Sequence, residues 1–166
     1  MDQLYILRHC KSDWSGDLQD NERPLSPRGI DNAGRIGYWM KQNEIIPGEI
    51  LCSTAKRAQQ TAQLVCEGLD YEASRIRYLP DLYLASRSSL LSIIDSYRSC
   101  QGPLMIVGHN PGIDELVAYL TSQDLPYTES GKLMTTGSLA RFSLAGADKD
   151  LHHACELLSI TRPSQI

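Results

Sequence analysis

The sequence predicts an α/β protein, a three-layer α/β/α sandwich whose mainly parallel central sheet can carry an antiparallel edge strand. Strand-like apolar runs alternate with stretches of helical periodicity through the first two-thirds of the chain. Such alternation is typical of right-handed βαβ units, whose helices cover both faces of a parallel sheet. Residues 104–107 form a short, continuous apolar run, as expected of a strand that is buried on both faces.

The first strand and helix are marked clearly. An apolar run at residues 4–7 stops at two charged or polar residues, and a polar loop follows it. Ser26 and Pro27 are a favourable N-cap and first helical residue, so they predict the start of a helix. We expect that helix to end near Asn43.

The later elements continue the alternation and close with a strand pair. Residues 49–52 predict a second strand, and Ser53 and Thr54 are expected to cap the helix after it. The remaining elements are a strand at 75–79, a helix at 88–98, the strand at 104–107, a helix opened by Asn110-Pro111 and two strands at 139–144 and 155–160. We expect the last two strands to pair in antiparallel fashion.

Length and composition predict a single domain over residues 1–166. The formal net charge of −4 argues against nucleic acid or an anionic membrane as the partner. No apolar run approaches the roughly 20 residues of a membrane span, and the first residues do not read as a signal peptide. We therefore expect a cytoplasmic protein, with a monomer as its simplest state.

Five cysteines are scattered singly through the chain. They are Cys10, Cys52, Cys66, Cys100 and Cys155. Their odd number and the lack of C-x-x-C spacing argue against a disulfide framework and against a zinc site. Reduced thiols are the expectation.

Arginine and histidine side chains follow three of the predicted strands. Arg8 and His9 end the first, Arg57 lies in the first turn of the helix after the second, and His109 follows the buried strand. Ligands bind beyond the carboxyl ends of strands in such sheets, so these side chains should share one crevice, over which Arg23 can close. Arginines bind phosphate oxygens in pairs, and a neutral imidazole can attack phosphorus. The set predicts phosphoryl transfer, with the second histidine moving protons or hydrogen-bonding the phosphoryl group.

Taken one at a time, these residues allow more ordinary interpretations. His109 could be a hydrogen-bonded structural histidine, and Arg57 a solvated helix residue. Arg23 could simply pair with a carboxylate such as Asp20 or Glu22. Their expected convergence at one edge is what favours a site.

Several motifs also resemble those of a known family. They are Leu7-Arg8-His9, Arg23-Pro24-Leu25 with Gly29, Ser53-x-x-x-Arg57-Ala58-x-Gln60-Thr61-Ala62, Leu82-Tyr83-x-Ala85-Ser86, Val107-Gly108-His109-Asn110-Pro111-Gly112 and Arg162-Pro163. Through them the chain resembles, over essentially its full length, the histidine phosphatase superfamily, which includes phosphoglycerate mutases and acid phosphatases. Within that superfamily it is most similar to the SixA-type phosphohistidine phosphatase branch.

The resemblance implies a metal-independent hydrolase that uses no cofactor. In the superfamily the histidine matching His9 takes the phosphoryl group, and the residues matching Arg8, Arg57 and His109 surround it. An arginine at the position of Arg23 commonly joins them. The implied partner is a phosphorylated protein or a small phosphorylated molecule.

The sequence departs from the superfamily pattern at two places. The usual Arg-His-Gly reads Arg-His-Cys here, and Cys10 would make the site sensitive to oxidation only if its thiolate were favoured and exposed. The acidic residue expected after the third strand is missing, and Asp81 is a weak candidate for that role. Without a general acid, which contributes roughly 10²- to 10⁴-fold, phosphohistidine or another labile phosphoryl donor is favoured over an alkyl phosphate.

Other interpretations remain open. A small-molecule phosphomonoesterase of the same superfamily and a relative that binds a phosphorylated ligand without catalysis fit the same residues. A mutase fits the missing acid poorly. A cysteine phosphatase, suggested by Cys10, would need an arginine six residues later, where Gly16 stands.

Overall fold

The computed structural model describes residues 1–146 and 150–166, and in them six strands alternate with four helices. The strands are β1 Gln3–Arg8, β2 Glu49–Ser53, β3 Ile76–Leu79, β4 Leu104–Gly108, β5 Leu139–Ser143 and β6 Glu156–Thr161. The helices are α1 Pro27–Gln42, α2 Lys56–Leu69, α3 Arg87–Ser96 and α4 Gly112–Leu120. Every predicted element is present, with ends within two residues of those expected.

The six strands form one sheet in the order β3-β2-β4-β1-β5-β6. The first four strands run parallel to one another, and β5 is antiparallel to both β1 and β6. The predicted fold class and the late antiparallel pair are therefore confirmed. This pair forms one edge of the sheet, with β6 outermost and β5 between it and β1.

Alternating side chains of the central strands point into two separate cores. In β1, Leu4 and Ile6 pack in the core that contains α3 and α4, whereas Tyr5 and Leu7 pack in the core that contains α1 and α2. The strand β4 alternates in the same way. Helices therefore cover both faces of the sheet, which explains why the sequences of the central strands are continuously apolar.

Two predicted helix caps are wrong, and both concern residues at the edge of the sheet. The N-cap of α2 is Ala55, with no side-chain capping bond; the Ser53 hydroxyl accepts from the Ala55 amide, before the helix begins, and contacts His109. The helix α4 begins at Gly112 rather than at Pro111, and the Asn110 amide donates to the carbonyl of Met134 at 3.3 Å. By contrast, Ser26 caps α1 as expected, accepting from the Gly29 amide.

The register of the sheet brings the ends of β1 and β4 together. Arg8 pairs with Gly108, and the amide of His9 donates to the Gly108 carbonyl at 3.1 Å. The residues that follow these two strands are therefore neighbours. The loop after β1 is held down on α1, since a β-carbon on Gly29 would lie only 2.1 Å from the carbonyl oxygen of Lys11. Glycine is required at this close approach.

Candidate active site

His9 is a buried imidazole with one ring nitrogen engaged. Its Nδ1 lies 2.7 Å from the carbonyl oxygen of Cys10, which can only accept, so Nδ1 carries the hydrogen and donates it. The lone pair of Nε2 therefore faces Arg57, whose Nε lies 3.4 Å away. Burial, followed by the charges of Arg57, Arg8 and Arg23, lowers the pKa of His9 to about 4, so the ring is neutral at pH 7.

His109 stands beside His9, with the two ring centroids 5.0 Å apart. Its Nδ1 lies 3.4 Å from Arg57 Nη2, and because a guanidinium only donates, Nδ1 must accept. Its Nε2 then carries the hydrogen and donates to the Ser53 hydroxyl at 2.7 Å. Burial, with the charges of its neighbours, lowers the pKa of His109 to about 3.

Arg57 joins the two histidines from the first turn of α2. Its side chain is 3 % exposed, and its Nε and Nη2 donate towards the two rings. Thr61, one turn later, donates to the Arg57 carbonyl at 2.7 Å and accepts from the Cys10 amide at 3.0 Å. The start of α2 is thereby fixed to the end of β1, which holds the guanidinium against both imidazoles.

A carboxylate lies among the arginines. Asp20 Oδ2 is 2.9 Å from Arg57 Nη2 and accepts from the Tyr83 hydroxyl at 2.6 Å, while Oδ1 accepts from Arg23. The Tyr83 hydrogen bond, with those from Arg23 and Arg57, holds the pKa of Asp20 well below its usual range. Arg23 thus makes the carboxylate pairing considered from the sequence, but it makes it inside the site.

Arg23 is fixed on three sides. Besides Asp20, its Nη1 donates to the Ser12 hydroxyl at 3.2 Å, and its guanidinium carbon lies 3.5 Å from the centre of the Trp14 ring. The side chain is 9 % exposed. The polar loop after β1 therefore closes over the site, as its position in the sequence suggested.

Arg8 borders the site on the side of β5. Its Nη1 donates to the Met134 carbonyl at 2.7 Å, and its Nε is buried without a hydrogen-bond partner among the described residues. Burial lowers the pKa of Arg8, and its charge contributes to the lowered pKa of both histidines. Beside it lies a cavity of about 380 Å³ that Lys11 and Lys132 help to line.

The structure thus brings together all five residues predicted for the site. A model of the histidine phosphatase superfamily (branch 1) matches residues 4–83. The uncharacterized protein Rv1276c of Mycobacterium tuberculosis is 36% identical over 157 residues, which cover 92% of this chain and 96% of that protein. The chain belongs to the histidine phosphatase superfamily.

A further relative points to the SixA-type branch of the superfamily, and a solved structure shares the fold. The phosphohistidine phosphatase SixA of Escherichia coli is 28% identical over 144 residues, covering 86% of this chain and 85% of that protein. A solved structure of the protein histidine phosphatase SixA complexed with tungstate has the same fold, with a TM-score of 0.80. That structure is 22% identical and covers 98% of this chain and 97% of its own. Superfamily membership and the SixA similarity support phosphatase activity.

Sequence reasoning missed three side chains of the site. Ser53 ends β2, the strand beside β4, so the logic that found the histidines could also have found it. Tyr83 lies in one of the motifs that resemble the superfamily, but nothing in the sequence gave it a contact. Asp20 was considered only as an ordinary ion-pair partner, because the course of a polar loop cannot be derived from its composition.

The two residues at which the sequence departs from the superfamily pattern, Asp81 and Cys10, place neither the carboxyl group nor the thiol in the site. Asp81 is exposed, and in the part of the chain that the structure describes it makes no hydrogen bond or ion pair with the site.

No helix among residues 1–146 and 150–166 is long and apolar enough to cross a membrane. Nor do three or more His, Cys, Asp or Glu side chains in those ranges come together in a group suited to a metal ion.

Cys10 meets neither condition for a reactive thiol. It is fully buried in the core between the sheet and α1–α2, and burial raises the pKa of its thiol to about 12. We expect Cys10→Ala to keep the wild-type kcat/KM for an aryl phosphate, because the thiolate is neither formed nor accessible. Mass spectrometry should find Cys10 unmodified after iodoacetamide treatment of the folded protein. Loss of turnover in Cys10→Ala with the fold intact would revive a cysteine mechanism.

Proposed function

We propose that this protein is a phosphatase that works through a covalent phosphohistidine on His9. The observation that carries the proposal is the unprotonated Nε2 of His9, whose lone pair is directed at the buried guanidinium of Arg57 and accepts from its Nε at 3.4 Å. With its pKa lowered to about 4, the ring is a neutral nucleophile at pH 7. In the proposed first step Nε2 bonds to phosphorus as the bond to the leaving group breaks. Water then releases phosphate and restores His9.

The surrounding charges suit a tetrahedral dianion. Arg57, Arg8 and Arg23 are proposed to bind the phosphoryl oxygens, on which charge is spread in the transition state. His109 is proposed to contact the same group, because its ring lies 5.0 Å from that of His9 and shares Arg57 with it. The tungstate ion, bound in the SixA structure of the same fold, is likewise a tetrahedral oxyanion.

For the substrate we propose phosphohistidine or another labile phosphoryl donor, presented by a protein or a small molecule. Asp81 is exposed and makes no described contact with the site, so the loop after β3 places no carboxyl group there to protonate an alkoxide. An imidazole leaves without such help, and the SixA protein of Escherichia coli carries the name of a phosphohistidine phosphatase. The cavity beside Arg8 offers room for the body of a substrate. The proposed enzyme is also metal-independent, monomeric and cytoplasmic, and it consists of a single domain.

A small-molecule phosphomonoesterase is the second candidate. The same arginine pocket favours it, because the arginines would bind the phosphoryl group regardless of the molecule to which that group is attached. A non-catalytic phosphate-binding relative is less favoured, since binding alone does not require the neutral nucleophile that His9 provides.

The test is a substrate panel with a rapid quench. Wild-type protein is offered a phosphohistidine protein, phosphoimidazole, p-nitrophenyl phosphate and an alkyl phosphate, in the presence of EDTA. We expect kcat/KM to fall in that order of leaving-group quality, and 32P-labelled substrate to leave acid-labile phosphate on His9. Faster hydrolysis of the alkyl phosphate would contradict the substrate class. Turnover without any acid-labile label would contradict the covalent step.

A further inference from the structure

The Asp20 carboxylate forms ion pairs with two arginines of the site, and the mechanism proposed above assigns it no role. It contacts both Arg23 and Arg57, and the Tyr83 hydroxyl fixes its Oδ2 at 2.6 Å. Its backbone carbonyl also accepts from Arg57 Nη1. Three side chains and one backbone bond therefore hold this carboxylate at the rim of the site.

The guanidinium of Arg57 separates Asp20 from His9. Its Nε faces His9, whereas its Nη1 and Nη2 face Asp20. A phosphoryl group bonded to His9 Nε2 and bound by Arg57 would therefore have the nucleophile on one side and a carboxylate near the other. Displacement at phosphorus is in line, so the water that releases the phosphoryl group must approach from the side opposite His9.

We infer that Asp20, held by Tyr83, is the base that accepts a proton from the water that hydrolyses phospho-His9. This inference rests on the proposed function, and it concerns only the second half of that reaction. The water oxygen bonds to phosphorus, its proton passes to Asp20, and the electron pair of the breaking P–N bond returns to His9 Nε2. Asp20 then gives its proton to solvent as phosphate leaves and the arginines become available again.

The resting contacts explain why Asp20 acts as a base and not as an acid. Arg23, Arg57 and Tyr83 all favour its ionised form, and His109, the remaining titratable group that faces it, is neutral at pH 7. Asp20 therefore carries no proton to give to a leaving group. A bound phosphoryl dianion competes for the same guanidinium groups and repels the carboxylate, which makes Asp20 more basic when the water arrives. A preference for labile phosphoryl donors follows from this arrangement too.

The decisive variant is Asp20→Asn, which keeps the shape and removes the base. With p-nitrophenyl phosphate in a rapid-quench experiment, we expect phosphorylation of His9 at the wild-type rate. Breakdown of phospho-His9 should be slower by about 10²-fold or more. Acid-labile phosphate should accumulate to nearly one equivalent, and Tyr83→Phe should show a smaller slowing of the same step. The matched control is Glu22→Gln, which removes an exposed carboxylate two residues away that makes no ion pair with the described arginines.

The outcomes separate this inference from the proposed function. Equal slowing of both half-reactions in Asp20→Asn would mean that Asp20 only positions the arginines, and would overturn the inference. Breakdown at the wild-type rate in both Asp20→Asn and Tyr83→Phe would overturn it as well. A wild-type enzyme that never forms phospho-His9 would instead overturn the covalent mechanism, before the role of Asp20 arises.

Discussion

Replacing His9 by alanine should lower kcat/KM for every substrate of the panel by at least about 10⁴-fold, the scale on which removal of a covalent nucleophile acts. The variant loses the atom to which the phosphoryl group bonds, and none of the neighbouring side chains can replace it. His109 is nearby, but its hydrogen bonds to Arg57 and Ser53 hold its ring centre 5.0 Å from that of His9, away from the position of the lost nitrogen. The measurement is steady-state hydrolysis of p-nitrophenyl phosphate together with the rapid-quench label.

Two controls accompany the His9 variant. Thermal unfolding and tungstate binding should stay close to wild type, because the arginines that bind the oxyanion remain. His152→Ala is the matched substitution, since that histidine is exposed near the end of α4 and should have no effect on turnover. Residual activity above one-hundredth of wild type in His9→Ala would place the nucleophile elsewhere.

Arg57→Ala should lower kcat/KM by about 10²- to 10³-fold, as expected when a preorganised donor to the transition-state charge is removed. The guanidinium contacts both histidines and Asp20, so its loss also leaves the two rings without their common partner. Arg57→Lys should restore little, because an ammonium cannot donate in two directions from one planar group. Hydrolysis of p-nitrophenyl phosphate and the dissociation constant of tungstate report the two effects.

The control for Arg57 is another arginine in an ion pair. Arg77 pairs with Glu49 at 3.0 Å on the exposed edge of β3, and Arg77→Ala should leave both activity and oxyanion binding unchanged. Arg57→Lys with wild-type activity would show that charge alone matters at this position. The forked geometry would then be irrelevant.

Much of the site could be predicted because it depends on strand ends. In a parallel sheet the residues after neighbouring strands must meet, so the placement of His9 and His109 follows once the strands are recognised. Arg57 follows from the helix that begins just after β2. These predictions required only the periodicity of the apolar residues and the order of the elements along the chain, both of which can be inferred from local sequence.

Other contacts of the site depend on tertiary structure that cannot be inferred from local sequence patterns. Ser53 was expected to cap α2, yet its hydroxyl accepts from the Ala55 amide and contacts His109, which follows β4. The antiparallel direction of β5 was expected, but its place inside the sheet depends on the competition between strands for β1. Asp20 reaches Arg57, 37 residues away, only because the loop after β1 folds over the sheet edge.

The hydrogen bond between His9 Nδ1 and the carbonyl of Cys10 has a chemical consequence of its own. It commits one ring nitrogen to a backbone carbonyl just beyond the end of β1. Of the two isomers that phosphorylated histidine can adopt, only the one substituted on Nε2 is compatible with this bond. A main-chain carbonyl just beyond β1, and not a side chain of the pocket, would thereby select the regiochemistry of the proposed covalent intermediate.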